Sequence, residues 1–256
     1  MIENLTYSGG DGSAVTAGNT GYDSVLVTGG SLVHEAEEVF RGASSSILAT
    51  GTTTSGVVYG LKDITATDAL AFDIPVKPVT LPSGELYFLQ LGFAATRNIA
   101  LATTSTGLLR VRDAANANAW SSASGVLIPG SPCIISVYVT RSATEGTFRV
   151  VVYEIDGVTI RTDSGLQTAK NTGSSAFTNF RASGAKSATG TLASQWLYGE
   201  PRWDVTASGL LPAWTAPTAQ SPAYRWDGSG YVPLDAYRWN GSVYVDLYRA
   251  TPRPVY

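Results

Sequence analysis

Apolar and polar residues alternate with a period of two along most of the chain up to about residue 200, the pattern of half-buried β-strands. Cys133, Ile135, Val137 and Val139 fall on one face of such a run, with Ser136, Tyr138 and Thr140 on the other. Phe148, Val150 and Val152 share a face in the next run, and Leu109 and Val111 alternate with Arg110 and Arg112. A short polar, Gly-containing loop at 141–146 separates the first two of these runs, as a hairpin requires. Asp156-Gly157 stands between 151–155 and 158–161 and signals a two-residue hairpin turn, because Gly takes positive φ without strain. Residues 133–161 therefore predict a three-stranded meander. Further strands are expected at 25–28, 47–50, 70–76, 86–93, 99–103, 108–113, 177–182 and 195–198, with Gly, Pro, Ser and Asn between them. Many short strands at this spacing point to an all-β, two-sheet antiparallel sandwich or a barrel. Residues 33–41 form the best helix pattern in the chain; a strand with Val33, Glu35 and Glu37 on one face fits them almost as well.

The texture changes after residue 204. Residues 205–222 hold three prolines and no clear period, and read as a linker. A duplication follows: 223–235 and 236–248 are identical at nine of thirteen positions. Each copy has an aromatic strand, an Asp227-Gly228 or Asn240-Gly241 turn, and a second aromatic strand, which makes each a small hairpin. Tyr224, Trp226 and Tyr231 in the first copy match Tyr237, Trp239 and Tyr244 in the second. A lone hairpin is barely stable in water and two copies are too few for a free-standing solenoid, so these aromatic faces need a partner surface. The expected organisation is a sandwich domain over 1–204, a linker over 205–222 and a repeat tail over 223–256.

Laid in order, several segments resemble a known family. Arg41-Gly42-Ala43-Ser44-Ser45-Ser46-Ile47 is similar to the early Gly-x-x-Ser strand of concanavalin A-like lectin/glucanase domains, and Leu70-Ala71-Phe72-Asp73-Ile74 to the sheet strand that follows it. Residues 148–159, with Tyr153-x-x-Asp156-Gly157, resemble the hairpin of laminin-G-like jelly rolls; 177–182 and 192–198 resemble the closing strands. The resemblance covers about 10–204 and implies a jelly-roll sandwich. The tail units, of the form Trp-Asp/Asn-Gly-Ser-x-Tyr-Val, resemble repeats appended to bacteriophage tail and virion proteins. Together they imply a minor tail or other virion surface protein, assembled in a host cytoplasm and exposed on the particle. Its partners would be other virion subunits, further copies of itself (a homotrimer by preference), and a host-surface glycan. A stand-alone carbohydrate-binding module, a head-decoration protein and a glycoside hydrolase remain as alternatives, in that order.

Composition narrows the classes. Charged residues make up 14% of the 256 residues while 44% are hydrophobic, which excludes the highly charged, weakly hydrophobic signature of disorder. Coiled coils and helical bundles need more Glu, Lys and Arg than this. A net charge of -3 supplies no basic excess for nucleic acid. The first six residues show no basic region leading into an apolar stretch, so a secretory leader is not expected, and no apolar run approaches the length of a membrane span. With a single cysteine, Cys133 in an apolar strand, the chain forms no internal disulfide; an inert core thiol is expected.

The residues offer little for catalysis. Sandwich hydrolases resemble one another in a Glu-x-Asp-x-x-Glu strand, whose three carboxylates share one face and tune one acid's proton affinity. Glu154-Ile155-Asp156 begins such a motif, but no second Glu follows, and Asp156 is better explained as a turn residue. Glu35, Glu37 and Glu38 read as a solvated acidic face. His34 is the single histidine, so any Ser/His/Asp site would depend on it; a hydrogen-bonded structural role is the preferred reading. Zinc is disfavoured by one Cys and one His. Asp113, Asn116 and Asn118 make an oxygen-rich loop without calcium-site spacing, so a plain turn is expected there, and no cofactor is expected. A sugar presents an apolar face to aromatic rings and hydroxyls to amides. On that chemistry Trp120, with Asn116 and Asn118, is the glycan-binding candidate in the main domain. Tyr224, Trp226, Tyr231, Tyr237, Trp239 and Tyr244 are read first as assembly surfaces.

Overall fold

The computed structural model describes residues 1–36, 40, 45–51, 57–93, 96–189, 194–213, 224–226, 231–233, 236–239 and 244–248. Up to residue 213 its strands are β1 (Glu3–Asn4), β2 (Ser24–Thr28), β3 (Gly30–Glu35), β4 (Ser46–Gly51), β5 (Val57–Thr67), β6 (Ala69–Thr80), β7 (Glu85–Phe93), β8 (Thr96–Thr103), β9 (Leu109–Arg112), β10 (Asn118–Ser121), β11 (Cys133–Thr140), β12 (Gly146–Glu154), β13 (Ile160–Asp163), β14 (Gln167–Lys170), β15 (Phe177–Thr189), β16 (Ser194–Tyr198) and β17 (Arg202–Asp204). They form two antiparallel sheets. The first runs β13-β12-β11-β6-β16-β4-β3, with β14 beside β12, and with β17 between β1 and β6. The second runs β10-β9-β8-β7-β15-β5-β2. The chain crosses repeatedly from one sheet to the other, giving the all-β jelly-roll sandwich that the alternating pattern predicts.

The alternation explains the core. Cys133, Ile135, Val137 and Val139 on β11 and Phe148, Val150 and Val152 on β12 are buried against the inner face of the second sheet. Aromatic rings fill the middle: Phe88 stacks on Trp196 at 5.3 Å, Phe72 meets Phe180 edge-on at 4.8 Å, and Phe180 lies 5.1 Å from Trp203. Such pairs add about 0.5–1.5 kcal/mol each beyond the area they bury. Burial pushes the Cys133 thiol up to about 12, consistent with an inert core group.

Two local expectations change. The helix expected over 33–41 is replaced by β3, which pairs with β4 from Gly30↔Gly51 to Glu35↔Ser46. Leu32 and His34 turn inward and are buried, a period-two burial that no helix supplies; residues 37–39 and 41 lie outside the described residues. The Asp156-Gly157 turn exists, but it is wider than two residues. Asp156 Oδ1 accepts the N–H groups of Val158 and Thr159, at 2.8 and 2.9 Å, and its other oxygen accepts the Thr159 hydroxyl. The loop thus spans 155–159, and β13 begins at Ile160 with Gly157 at φ 76°.

The chain divides into two compact units, Met1–Ala213 and Trp214–Tyr256. In the second, Tyr224–Trp226 pairs antiparallel with Tyr231–Pro233, and Ala236–Trp239 with Tyr244–Tyr248. The turn residues Asp227-Gly228 and Asn240-Gly241, and the side chains of Tyr224, Trp226, Tyr231, Tyr237, Trp239 and Tyr244, lie outside the described residues.

Candidate functional site

The outer face of the first sheet carries the side chains that alternation turns away from the core. Tyr138 on β11 lies directly across from Arg149 on β12, and Thr140 from Thr147, whose hydroxyls bond at 2.8 Å. Arg149 donates to Asp163 Oδ1 at 3.1 Å through Nε and also to its second oxygen through Nη2. That bidentate pairing holds the Asp163 carboxyl below the usual carboxylate range, aided by the Gly165 N–H. Tyr138 and Arg149 both line the same depression on this face. Residues 208–210, from the end of the first compact unit, form a wall over these strands.

The result is a half-open pocket of about 250 Å³ lined by Tyr138, Thr147, Arg149, Leu166, Ser208, Gly209 and Leu210. Leu166 is 61% exposed at its rim. The lining combines an aromatic ring, an aliphatic side chain, two hydroxyls and a planar cation. That donor set can hold a small ligand with one apolar face and several hydroxyls. Neighbouring Tyr153 has its phenol raised by burial and by the Asp73 and Asp163 charges, against the opposing effect of Arg149.

The wall is tied down. Asp73 on β6 accepts from Ser136 Oγ at 2.6 Å and from Arg202 Nε at 2.9 Å, and Arg202 Nη2 also reaches the Pro212 carbonyl at 2.6 Å. Thr67 donates to the Val205 carbonyl at 2.8 Å, and Leu211 is buried.

Trp120, Asn116 and Asn118 sit elsewhere, at the β9–β10 end of the second sheet. Trp120 pairs with Val111, and its ring is half-buried against the core cluster. Asn116 adopts φ 67° in a turn where Asp113 Oδ1 accepts the Ala117 N–H at 2.7 Å, and its Oδ1 accepts the Tyr87 hydroxyl at 2.7 Å. Asn118 bonds Ser121 at 3.0 Å. Oδ1 of Asp113 and Oδ1 of Asn116 are therefore committed to the turn itself and to Tyr87.

That outer face holds a dense polar layer. Glu85, 9% exposed, accepts from Arg110 and Arg112. The Arg97 guanidinium lies 4.6 Å from the Tyr87 ring centre, and Arg181 lies 5.1 Å from that of Tyr59. These rings are already covered by cations.

The carboxylates weighed for catalysis are occupied as well. Glu154 pairs with Arg161, and Asp156 closes its loop. Glu35 ends β3, while Glu37 and Glu38 lie outside the described residues. His34 is 1% exposed, with Nδ1 at 3.1 Å from Ser45 Oγ. Among the described residues no group of three or more His, Cys, Asp or Glu is arranged to hold a metal ion. Among them, too, no helix is long and apolar enough to cross a membrane.

No protein-family model and no curated protein sequence matches the chain. Among solved structures it is similar to a Trypanosoma rangeli sialidase in complex with 2,3-difluoro-KDN, with TM-score 0.49 and 14% identity over 82% of this chain and 30% of that one. It is also similar to Cip1, a cellulose induced protein, with TM-score 0.48 and 10% identity over 72% of this chain and 89% of that one. Arcelin-5, a lectin-like defence protein from Phaseolus vulgaris, gives 0.45 and 7% over 79% of this chain and 96% of that one. The chain spans less than a third of the sialidase's length. Likenesses at this level bear on no activity or ligand.

Proposed function

We propose that this chain is a non-catalytic virion protein of a bacteriophage, tail-associated, whose sandwich recognises a host-surface glycan while its C-terminal repeats serve oligomerisation or docking. The observation that carries the recognition step is the Tyr138–Arg149 pocket. At about 250 Å³ it is smaller than the ~300–1,000 Å³ of sites for drug-sized ligands, and so suits one or two sugar rings at the end of a glycan. Tyr138 offers the stacking surface, Arg149 the guanidinium N–H groups not turned to Asp163, and Thr147 and Ser208 the short-range hydroxyls. Trp120 is assigned to packing, because its ring is half-buried against the core cluster.

The virion assignment rests on the resemblance of the duplicated Trp-Asp/Asn-Gly-Ser-x-Tyr-Val units to phage repeats. The non-catalytic assignment rests on the commitment of Glu154 and Asp156 to structural bonds.

A glycan array with the full chain tests recognition. Tyr138→Ala and Arg149→Ala are expected to lose at least about tenfold in apparent affinity for whatever glycan the wild type retains, and Trp120→Ala to lose none at equal foldedness. Retained binding in both pocket variants would move the site elsewhere. Immunolabelling of intact particles tests the second half, and unlabelled virions would refute it.

A further inference from the structure

The main strand order of each sheet ends in two terminal strands, and among the described residues three of these four ends are guarded. The β3 edge is covered by the chain before it: Gly12 N–H donates to the His34 carbonyl at 2.8 Å, His34 N–H to Ser13 at 2.9 Å, and Val15 N–H to Leu32 at 3.1 Å. The β13 edge is four residues long and carries Arg161 and Asp163. The β10 edge is broken by a bulge between Asn118 and Trp120, and Lys170 Nζ donates to the Ala119 carbonyl. Bulges, charges, short strands and covering loops are the devices that keep sheet edges from pairing with other chains.

Among the described residues the β2 edge has none of these. Ser24–Thr28 reads Ser-Val-Leu-Val-Thr, without charge, proline or bulge, and pairs in unbroken register with β5 from Ser24↔Leu61 to Thr28↔Val57. Among the described residues no group from outside β5 bonds its backbone. Val25 packs against the core, so Val27, two positions on, faces the same way; yet Val27 is 42% exposed, and Leu26 on the opposite face is 43% exposed. A core-facing valine left open at a bare edge is a core that stops short.

We infer that β2 is an interface for a second copy of this chain, joined antiparallel about a two-fold axis through Leu26. The occupant follows from the sequence of the strand itself, which is close to a palindrome. Antiparallel self-pairing about Leu26 sets Leu26 against its own copy, Val25 against Val27, and Ser24 against Thr28. Every cross-strand pair is then matched in polarity and size, with no charges opposed. Two-fold pairing is also self-complementary, so the contact closes instead of propagating. Val27 would come under the partner's Val25, continuing the inner layer across the junction. Five residues of edge fall short of the roughly 1,200 Å² that stable interfaces bury, so the pairing is concentration-dependent in isolation and strengthened where copies are already held together. The inference does not depend on glycan recognition.

Cross-linking of the full chain tests it. Directly opposed antiparallel residues have Cα atoms about 4.5–5.5 Å apart, within the range a disulfide spans. The native thiol, Cys133, is buried and does not compete. Leu26→Cys is expected to form disulfide-linked dimers under mild oxidation at least about tenfold faster than Ile160→Cys, a somewhat more exposed position on the guarded β13 edge. Val27→Cys, offset from its own copy, is expected to cross-link more slowly than Leu26→Cys. Leu26→Lys is expected to weaken the concentration dependence of sedimentation with an unchanged unfolding midpoint. Equal rates for Leu26→Cys and Ile160→Cys would overturn the interface, and faster linkage through Val27→Cys would overturn the register. A Leu26→Cys thiol that resists a small thiol reagent in the reduced full chain, at concentrations where sedimentation shows monomer, would show the edge covered from within, by another segment of the same polypeptide, and would equally refute the proposal.

Discussion

Arg202 grips Asp73 through Nε at 2.9 Å and also through Nη2, with Asp73 1% exposed and Arg202 12% exposed at their side chains. Ser136 satisfies the remaining carboxylate oxygen, and the Pro212 carbonyl takes a further guanidinium proton. The pair is thus hydrogen-bonded on both sides, and losing one member strands the other. Breaking a buried pair by removing one partner typically costs about 3–5 kcal/mol. Asp73→Asn and Arg202→Met are each expected to lower stability by about 3 kcal/mol in urea unfolding. The double variant should fall short of the sum by more than about 1 kcal/mol. Strict additivity would show that the pair does not act as a unit. Both single variants should also weaken ligand retention, since Arg202 ties down the strand end from which the 208–210 wall departs.

Glu85 gives a pH-dependent test. Burial works to raise its carboxyl, but the hydrogen bonds from Arg112 and Arg110, with their charges, outweigh it and hold it below the ordinary value of 4.5. A depressed carboxyl contributes stability that is present above the unfolded value and is lost as pH falls through the folded one. Glu85→Gln is therefore expected to cost about 1–2 kcal/mol near pH 7, where two arginines lose their shared anion, and progressively less below pH 4. A loss independent of pH would assign the role of Glu85 to packing.

His34 titrates with the opposite chemistry in a higher window. Burial lowers the imidazole from its ordinary 6.5, so the unfolded chain takes up a proton first as pH falls. Its contribution is intact above about pH 6.5 and declines as pH falls from there toward the folded value. The groups facing the ring are the Ser45 hydroxyl and the Tyr7 ring, 6.3 Å away. Glu200, whose carboxyl burial raises, has the reverse slope, so the readout is a difference between proteins. Between pH 7.5 and 5.5 the thermal midpoint of wild type should fall further than that of His34→Gln. Parallel curves would remove His34 from the acid response.

Period-two burial was legible where one face of a strand is wet, as at the Tyr138–Thr140 end of β11 and its partner Thr147–Arg149 on β12; farther along the same face Ile134, Ser136 and Val151 are buried, which alternation alone does not announce. It failed at β5. There Gly60, Lys62 and Asp63 interrupt the pattern, because a Cβ at Gly60 would come within 2.4 Å of the Tyr22 ring and Asp23 binds both Lys62 and the Asp63 N–H. It was incomplete at β6, whose Pro75 and Pro78 argue against a central strand. Pro75 is tolerated because its neighbours β16 and β17 are interrupted there, at 199–201, and Gly199 N–H donates to its carbonyl at 2.9 Å. The pocket was legible only in half. Alternation placed Tyr138 outside the core, but the wall at 208–210 depends on the long-range Asp73–Arg202 bond, which no local pattern announces.

Residue 213, where the first compact unit ends, sets up the last test. Residues 205–213 have the proline and irregular pattern of a linker, yet Val205 packs on the core, Leu211 is buried, and the Val205 and Pro212 carbonyls accept from Thr67 and Arg202. Ending the chain at 204 removes all four contacts, whereas ending it at 213 removes none. Exposing Leu211's site alone forfeits on the order of 1.5–3 kcal/mol. Calorimetry should therefore give residues 1–213 the midpoint of the sandwich in the full chain, and residues 1–204 a midpoint several degrees lower. Light scattering on the same proteins separates the roles of the two units. If the repeats assemble the protein, mass falls on removing 214–256 and falls no further on removing 205–213. For 1–213, an oligomer with an unchanged number of chains would take oligomerisation away from the repeats and leave the β2 edge as the contact between copies.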